Sequence, residues 1–399
     1  MRVRNFLQSR SKIFLIGLIL FVDLFFNTTA WAYPEFIGYK YTSCMTCHYN
    51  GNGSGPLNDY GRAVWASEIA GRMFAGNKTP EDLANSSGFL GTTKLPWWIR
   101  PGITSRGLVY QTDPGLSSRK TRSILMQADA NLALLFTKKQ TVAFVGSFGY
   151  APTPQNQGQG SPPSDQKNWI SREHYFRVQA TKNLWLYAGM LDKVYGIRIV
   201  DHTAYSRAMT GVAQNDQSHS VIMQYIQPSW ELSLDAFFGN LYQEADLRQK
   251  GGSMMFEYDV EPFWRIGFSA LDSKDSFVEN KRFALHSRNG LGEGSAILFE
   301  VGLIDNTPTN GTAKTSGYYV YSEAIQKLTR GYHLFVDGQA YKDDFSAPHS
   351  DFIKAGAGLL VFPMDRVEFR LEFQDARDIE ASTTSPDAWV ILSQLHLAL

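Results

Sequence analysis

Residues 367–374 read Val-Glu-Phe-Arg-Leu-Glu-Phe-Gln. In an extended chain successive side chains point to opposite faces. Val367, Phe369, Leu371 and Phe373 then share one face, and Glu368, Arg370, Glu372 and Gln374 the other. This period of two is incompatible with a helix. It recurs in residues 126–136, where Met126, Ala128, Ala130, Leu132, Leu134 and Phe136 oppose Gln127, Asp129 and Asn131. From about Trp97 to the C-terminus the chain parses into strands at 98–112, 124–136, 140–150, 170–181, 184–191, 218–226, 230–240, 253–260, 264–272, 281–288, 295–304, 317–326, 332–342, 351–362, 367–376 and 388–399. Short turns at Lys138-Lys139, Gln227-Pro228-Ser229, Val260-Glu261-Pro262 and Pro363-Met364-Asp365 alternate with long loops such as 151–169 and 192–217. An even strand count with alternating short and long connections is the pattern of an outer-membrane barrel.

Composition agrees. Charged residues make up 19 %, against about 25 % in ordinary soluble domains. No internal run approaches the ~20 apolar residues of a helical span. Trp98, Trp169, Trp185, Trp230, Trp264 and Trp389 stand at or beside strand starts, where an interfacial aromatic girdle lies. Lys plus Arg and Asp plus Glu are 38 each, which gives no hint of nucleic acid as a partner. A soluble sandwich would show similar alternation. A propeller would show an internal repeat, and none is evident.

The N-terminus reads as an export signal. Arg2, Arg4, Arg10 and Lys12 precede an apolar stretch from Ile13 to Phe26, followed by Ala30-Trp31-Ala32. A basic start, an apolar run and an A-x-A site predict cleavage after Ala32.

The chain has two cysteines, in Cys44-Met45-Thr46-Cys47-His48. C-x-x-C-H is the attachment motif of c-type haem. Two thiols so spaced reach the two vinyl groups of one porphyrin, and the adjacent histidine serves as proximal iron ligand. A thioredoxin-like pair would sit in a βαβ pattern, and structural zinc would need four ligands. The motif predicts one covalent haem c held by Cys44, Cys47 and His48. Glycine-rich residues 51–55 follow, and then a helix is expected from about Asp59 to Phe74, capped by Asn58 or Asp59. Ala63, Ala66, Ala70 and Met73 share one face of that helix. Met73 is the candidate distal iron ligand, with core filler as its alternative role. Thr79-Pro80-Glu81-Asp82 opens a second helix. The expected domains are a signal peptide at 1–32, a small α-helical c-type haem domain at 33–95, and a sixteen-stranded antiparallel transmembrane β-barrel at 96–399, mainly β.

Phe36, Tyr39, Cys44, Cys47 and His48, then Pro56-Leu57-Asn58 and Gly61, together with this domain order, resemble the fused monohaem cytochrome–porins of the outer membrane. That family is best known for the iron oxidases of iron-oxidising bacteria. The resemblance implies electron transfer between periplasmic electron carriers and an extracellular donor or acceptor, Fe(II) among the donors, with the haem domain in or at the pore. Two other functions are compatible with the residues: a solute porin with a redox-responsive haem plug, and a haem sensor or peroxidase with an open sixth position. His174, His202, His219, His286, His333, His349 and His396 form no spaced metal cluster and read as pore or loop residues. Glu173, Arg177, Glu323, Asp337, Glu368, Arg370 and Glu372 are expected to line a charged lumen.

Overall fold

A computed structural model describes residues 36–399 except 54, 92–94, 114–119, 151–168, 202, 214, 293, 349–350 and 379–387. The signal peptide and most of the 151–169 loop therefore lie outside the described residues. The alternating segments form strands β1 (Ile99–Asp113), β2 (Lys120–Leu135), β3 (Val142–Tyr150), β4 (Trp169–Ile170), β5 (His174–Gln179), β6 (Leu184–Leu191), β7 (Ser218–Gln227), β8 (Trp230–Phe237), β9 (Lys250–Glu261), β10 (Trp264–Lys274), β11 (Val278–Gly292), β12 (Ser295–Pro308), β13 (Thr315–Thr329), β14 (Tyr332–Lys342), β15 (Asp351–Met364), β16 (Val367–Asp378) and β17 (Ala388–Ala398). β4 and β5 both pair with β3, so they are one strand with a break. The barrel thus has sixteen staves. It closes where β1 pairs β17, from Thr104↔Ala398 to Asp113↔Trp389.

The break at Ser171–Glu173 has a visible cause. Arg172 turns inward and its Nε bonds Asp129 Oδ2 at 2.9 Å, while Ser147 Oγ accepts from Glu173 N at 3.1 Å. One backbone bond persists across the break, Ser147 N donating to Glu173 O at 2.8 Å.

Burial along the strands is the reverse of a soluble core. Tyr175 and Arg177 are buried and face inward, while Phe176 between them is 53 % exposed. Ile266, Phe283, Phe299, Leu334, Leu359 and Leu371 are likewise exposed. All seven charged residues expected in the lumen are buried. An apolar outside and a charged inside suit lipid around the barrel. Among the described residues no helix is long and apolar enough to cross a membrane.

The lumen is filled by two segments. From the N-terminal side come Phe36–Tyr39, the Cys44–Thr46 turn and helix α1 (Asp59–Val64), which continues as a π-helical turn over Trp65–Ile69; helix α2 (Pro80–Asn85) contacts that turn and is largely exposed. Val64, Ile69 and Ala70 pack on Ile325, Phe335, Leu360 and Phe362 of the wall. The second segment is the connection from β6 to β7, with helix α3 (Tyr205–Ala208). It folds inward: Ile197 N donates to Glu300 Oε2 at 2.5 Å, Gly196 N to Ser269 Oγ at 3.0 Å, and Tyr205 N to Gln339 Oε1 at 3.0 Å.

Two expectations are corrected. The helix from Asp59 ends at Ile69, well short of Phe74, and Ala70 is extended. The wall captures the chain at this point: Gly71 N and Met73 N donate to Phe362 O and Pro363 O at 2.7 and 3.0 Å, and Arg330 donates to Ala66 O and Ala70 O. An arginine of the barrel thus caps a helix of the plug. Trp185 does not belong to an outer girdle, because it faces the lumen beneath the Arg177 guanidinium, 4.4 Å from its ring.

Candidate functional site in the lumen

The C-x-x-C-H residues form a tight turn. Cys47 N and His48 N both donate to Cys44 O, at 3.2 and 3.0 Å. His48 then pairs with Leu57 as an isolated bridge, so the glycine-rich stretch loops out and returns. Asn58 joins this turn to α1. Its Nδ2 donates to Thr46 O at 3.0 Å, its backbone N to Cys47 O at 2.8 Å, and its Oδ1 accepts from Gly61 N at 2.9 Å as the helix cap. Gly61 is needed for this approach, since a Cβ there would stand 2.3 Å from Cys47 O. Gly53 adopts φ +85°, and a Cβ on it would meet Cys44 Sγ at 3.0 Å, so a side chain there would crowd the first thiol.

His48 Nδ1 lies 3.3 Å from Gly55 O. A carbonyl can only accept, so Nδ1 is the protonated nitrogen and Nε2 carries the lone pair. A hydrogen bond of this kind on the far ring nitrogen fixes the tautomer of a metal-binding histidine. Burial pushes the Cys47 thiol up to about 12, and Cys44 is raised by the same cause. A redox dithiol works through a lowered thiol pKa, so this environment does not favour the thioredoxin-like alternative.

The turn is anchored by charges of the wall. Arg265 Nη1 and Arg288 Nη2 donate to Thr42 O at 2.8 and 3.2 Å. Both arginines are held by buried Glu257, with Arg288 Nη2 at 2.7 and 2.8 Å from its two oxygens. On the other side Arg177 Nη1 donates to Tyr49 O at 2.9 Å, and the Tyr49 ring packs with Ala133, Val145, Tyr175 and Tyr187. Nothing in the local sequence marks these anchors, because they come from strands far along the chain.

Cys44, Cys47 and His48 all line one cavity of about 470 Å³ between the plug and the inward β6–β7 connection. Cofactor sites span roughly 300–1,000 Å³. Ile103, Arg106, Arg172, Ile197, Arg198 and His396 contribute to its wall. Two thiols, an oriented imidazole, apolar surface and the guanidinium groups of Arg106, Arg172, Arg198 and Arg288 are what a haem with two carboxylates would need, and Asp129, Glu173, Asp192, Glu257 and Glu368 line the same cavity. Met73 is not brought to this cavity. It is 51 % exposed and sits where the plug meets the β15–β16 turn. Among the described residues no group of three or more His, Cys, Asp or Glu side chains could hold a separate metal ion.

No family model and no curated protein match the chain. Solved structures do. A loop-deletion mutant of OmpT, an outer membrane protein of Vibrio cholerae, aligns with TM-score 0.57 and 11 % identity over 75 % of this chain and 99 % of its own. The anion-selective porin from Comamonas acidovorans gives 0.58 and 9 % over 75 % and 99 %. The outer membrane channel DcaP of Acinetobacter baumannii gives 0.55 and 10 % over 75 % and 97 %. These barrels are matched almost whole and leave a quarter of this chain without a counterpart. At such identities the likeness is one of fold: a closed, sixteen-stranded antiparallel barrel of the outer-membrane porin type.

Proposed function

We propose that this chain is an outer-membrane barrel carrying one covalent haem c on Cys44 and Cys47, with His48 as proximal ligand. In this reading it passes electrons between periplasmic carriers and an extracellular donor or acceptor, with Fe(II) among the candidate donors. The observation that carries the proposal is the position of all three motif residues on one cavity inside the lumen. When bound there, the haem supplies one-electron transfer. The rest is the work of the chain. Cys44 and Cys47 fix the position of the group, and the Gly55 carbonyl turns His48 so that Nε2 is the ligating atom. Glu257, Arg265, Arg288 and Arg177 hold the motif against the wall. The inward β6–β7 connection bounds the cavity from the other side. A redox centre enclosed within the barrel is nearer to both faces than one hanging in the periplasm.

A second reading, a solute porin with a redox-responsive plug, draws support from the neighbours, two of which are described as a porin and a channel. Against an always-open pore stand the two segments packed in the lumen. Haem-stained denaturing gels test the assignment that both readings share. The wild-type protein is expected to stain and the Cys44→Ala/Cys47→Ala variant to lose the stain. An unstained wild type, produced with c-type haem maturation, would refute the haem assignment. Conductance in a planar bilayer then separates the readings: low for a conduit and high for a porin.

A further inference from the structure

The cavity wall carries a second oriented imidazole. His396 lies on β17, near the C-terminal end of the barrel strand that closes on β1. Its Nδ1 is 3.0 Å from Oε2 of Glu368, its direct cross-strand neighbour on β16. Glu368 is buried. A carboxylate accepts, so Nδ1–H donates and the lone pair is on Nε2. That nitrogen is buried and has no hydrogen-bond partner. A buried polar atom without a partner costs on the order of 1–3 kcal/mol, and such an atom calls for an explanation.

His396 lines the same cavity as Cys44, Cys47 and His48. The other described histidines do not. His286 gives Nε2 to Glu257 at 3.1 Å. His174 and His219 lie against each other and Tyr242. His333 is packed edge-on to Phe362 at the plug contact. Among the described residues, then, the cavity has two histidines. One belongs to the attachment motif. The other stands on the barrel wall with Nδ1 fixed by a carboxylate and Nε2 unspent. A metal-bound imidazole commonly donates its other ring N–H to a carboxylate in this way.

From this we infer that His396 is the distal ligand of the haem iron, so that the plug supplies one axial imidazole and the wall supplies the other. The inference rests on the haem reading above. It accounts for the orphaned Nε2, replaces Met73 as distal ligand, and closes the sixth position that a peroxidase or sensor would leave open. It also makes the iron a cross-link between plug and barrel. Because Glu368 accepts a hydrogen bond from Nδ1–H, it makes the imidazole a stronger donor and would favour the ferric state.

The test uses the full-length protein made with c-type haem maturation. Haem-stained denaturing gels first establish covalent attachment, and an unstained wild type would refute the haem reading itself. Ferric electron paramagnetic resonance and absorption spectra then address His396. The wild type is expected to be six-coordinate and low-spin with two imidazoles. His396→Ala should keep its covalent haem and turn high-spin, and added imidazole should restore the low-spin signal. Glu368→Gln should stay low-spin with a raised potential, and it substitutes for His396→Ala if that variant loads no haem. A haem-loaded His396→Ala with an unchanged low-spin spectrum would overturn the inference. So would a high-spin wild type, or a spectrum that responds instead to Met255→Leu, the methionine on the same wall. An unchanged potential in Glu368→Gln would contradict it as well.

Discussion

Arg177 donates through Nη1 to the backbone carbonyl of Tyr49 at 2.9 Å. One residue is on a barrel strand and the other directly follows His48, so this bond joins wall and motif. The same guanidinium donates to Gln140 O at 3.0 Å and lies over the Trp185 ring. Replacing it with alanine removes a charged donor from a buried carbonyl, at a cost of about 1.5–3 kcal/mol. Arg177→Ala should therefore leave the barrel folded and loosen the plug. Faster amide exchange at residues 44–58 and higher ion conductance would show this. Exchange equal to wild type would mean that the docking does not depend on this contact.

Glu257 has a heavier duty. It faces Arg265, Arg288 and His286 in a buried cluster. Glu257→Gln leaves two buried guanidinium groups short of a countercharge, and breaking a buried pair costs about 3–5 kcal/mol. The expected result is a lower unfolding midpoint in denaturant together with lower haem loading, because the Thr42 anchor goes with the cluster. Unchanged stability would show that Asp259 and Glu231, which also face Arg265, are sufficient.

Gly61→Ala tests the geometry of the motif. The added methyl would meet the Cys47 carbonyl at 2.3 Å and force α1 away from the attachment turn. Haem stain per molecule should fall several-fold. Gly107→Ala, at a position with open space around the Cβ, is the matched control and should load normally. Equal loading of both variants would contradict the close approach.

Met73→Ala should change neither the haem spectrum nor its potential, since the side chain is exposed and does not line the cavity. A shift to high-spin iron in this variant would return Met73 to the coordination sphere.

Much of the barrel was legible because alternation is a local property. The pattern at 367–374 becomes β16 (Val367–Asp378), and the sixteen parsed segments match the sixteen staves to within a few residues at most ends. The C-x-x-C-H residues are also local, five consecutive positions, and the structure brings Cys44, Cys47 and His48 to one cavity. What escaped was set by distant partners. The helix after Asp59 stops at Ile69 because Phe362, Pro363 and Arg330 hold the next residues, and so Met73 leaves the face that helical spacing gave it. Trp185 shares the inward face of β6 with buried Tyr187, and Arg177 lies over its ring. His396 looks like any barrel histidine in sequence, and only its pairing with Glu368 and its place on the cavity wall distinguish it. The inward course of the β6–β7 connection likewise depends on Glu300, Ser269 and Gln339.

In the proposed function one object, the haem-bearing plug, both closes the lumen and provides the route for electrons. The most direct measurement places the full-length protein in liposomes loaded with a redox dye, adds reductant outside, and records dye reduction alongside ion leakage. Dye reduction with little ion leakage is expected for the wild type, and loss of dye reduction for Cys44→Ala/Cys47→Ala. Free ion leakage with no dye reduction in the wild type would contradict the proposed function, and would leave a porin whose plug does not conduct.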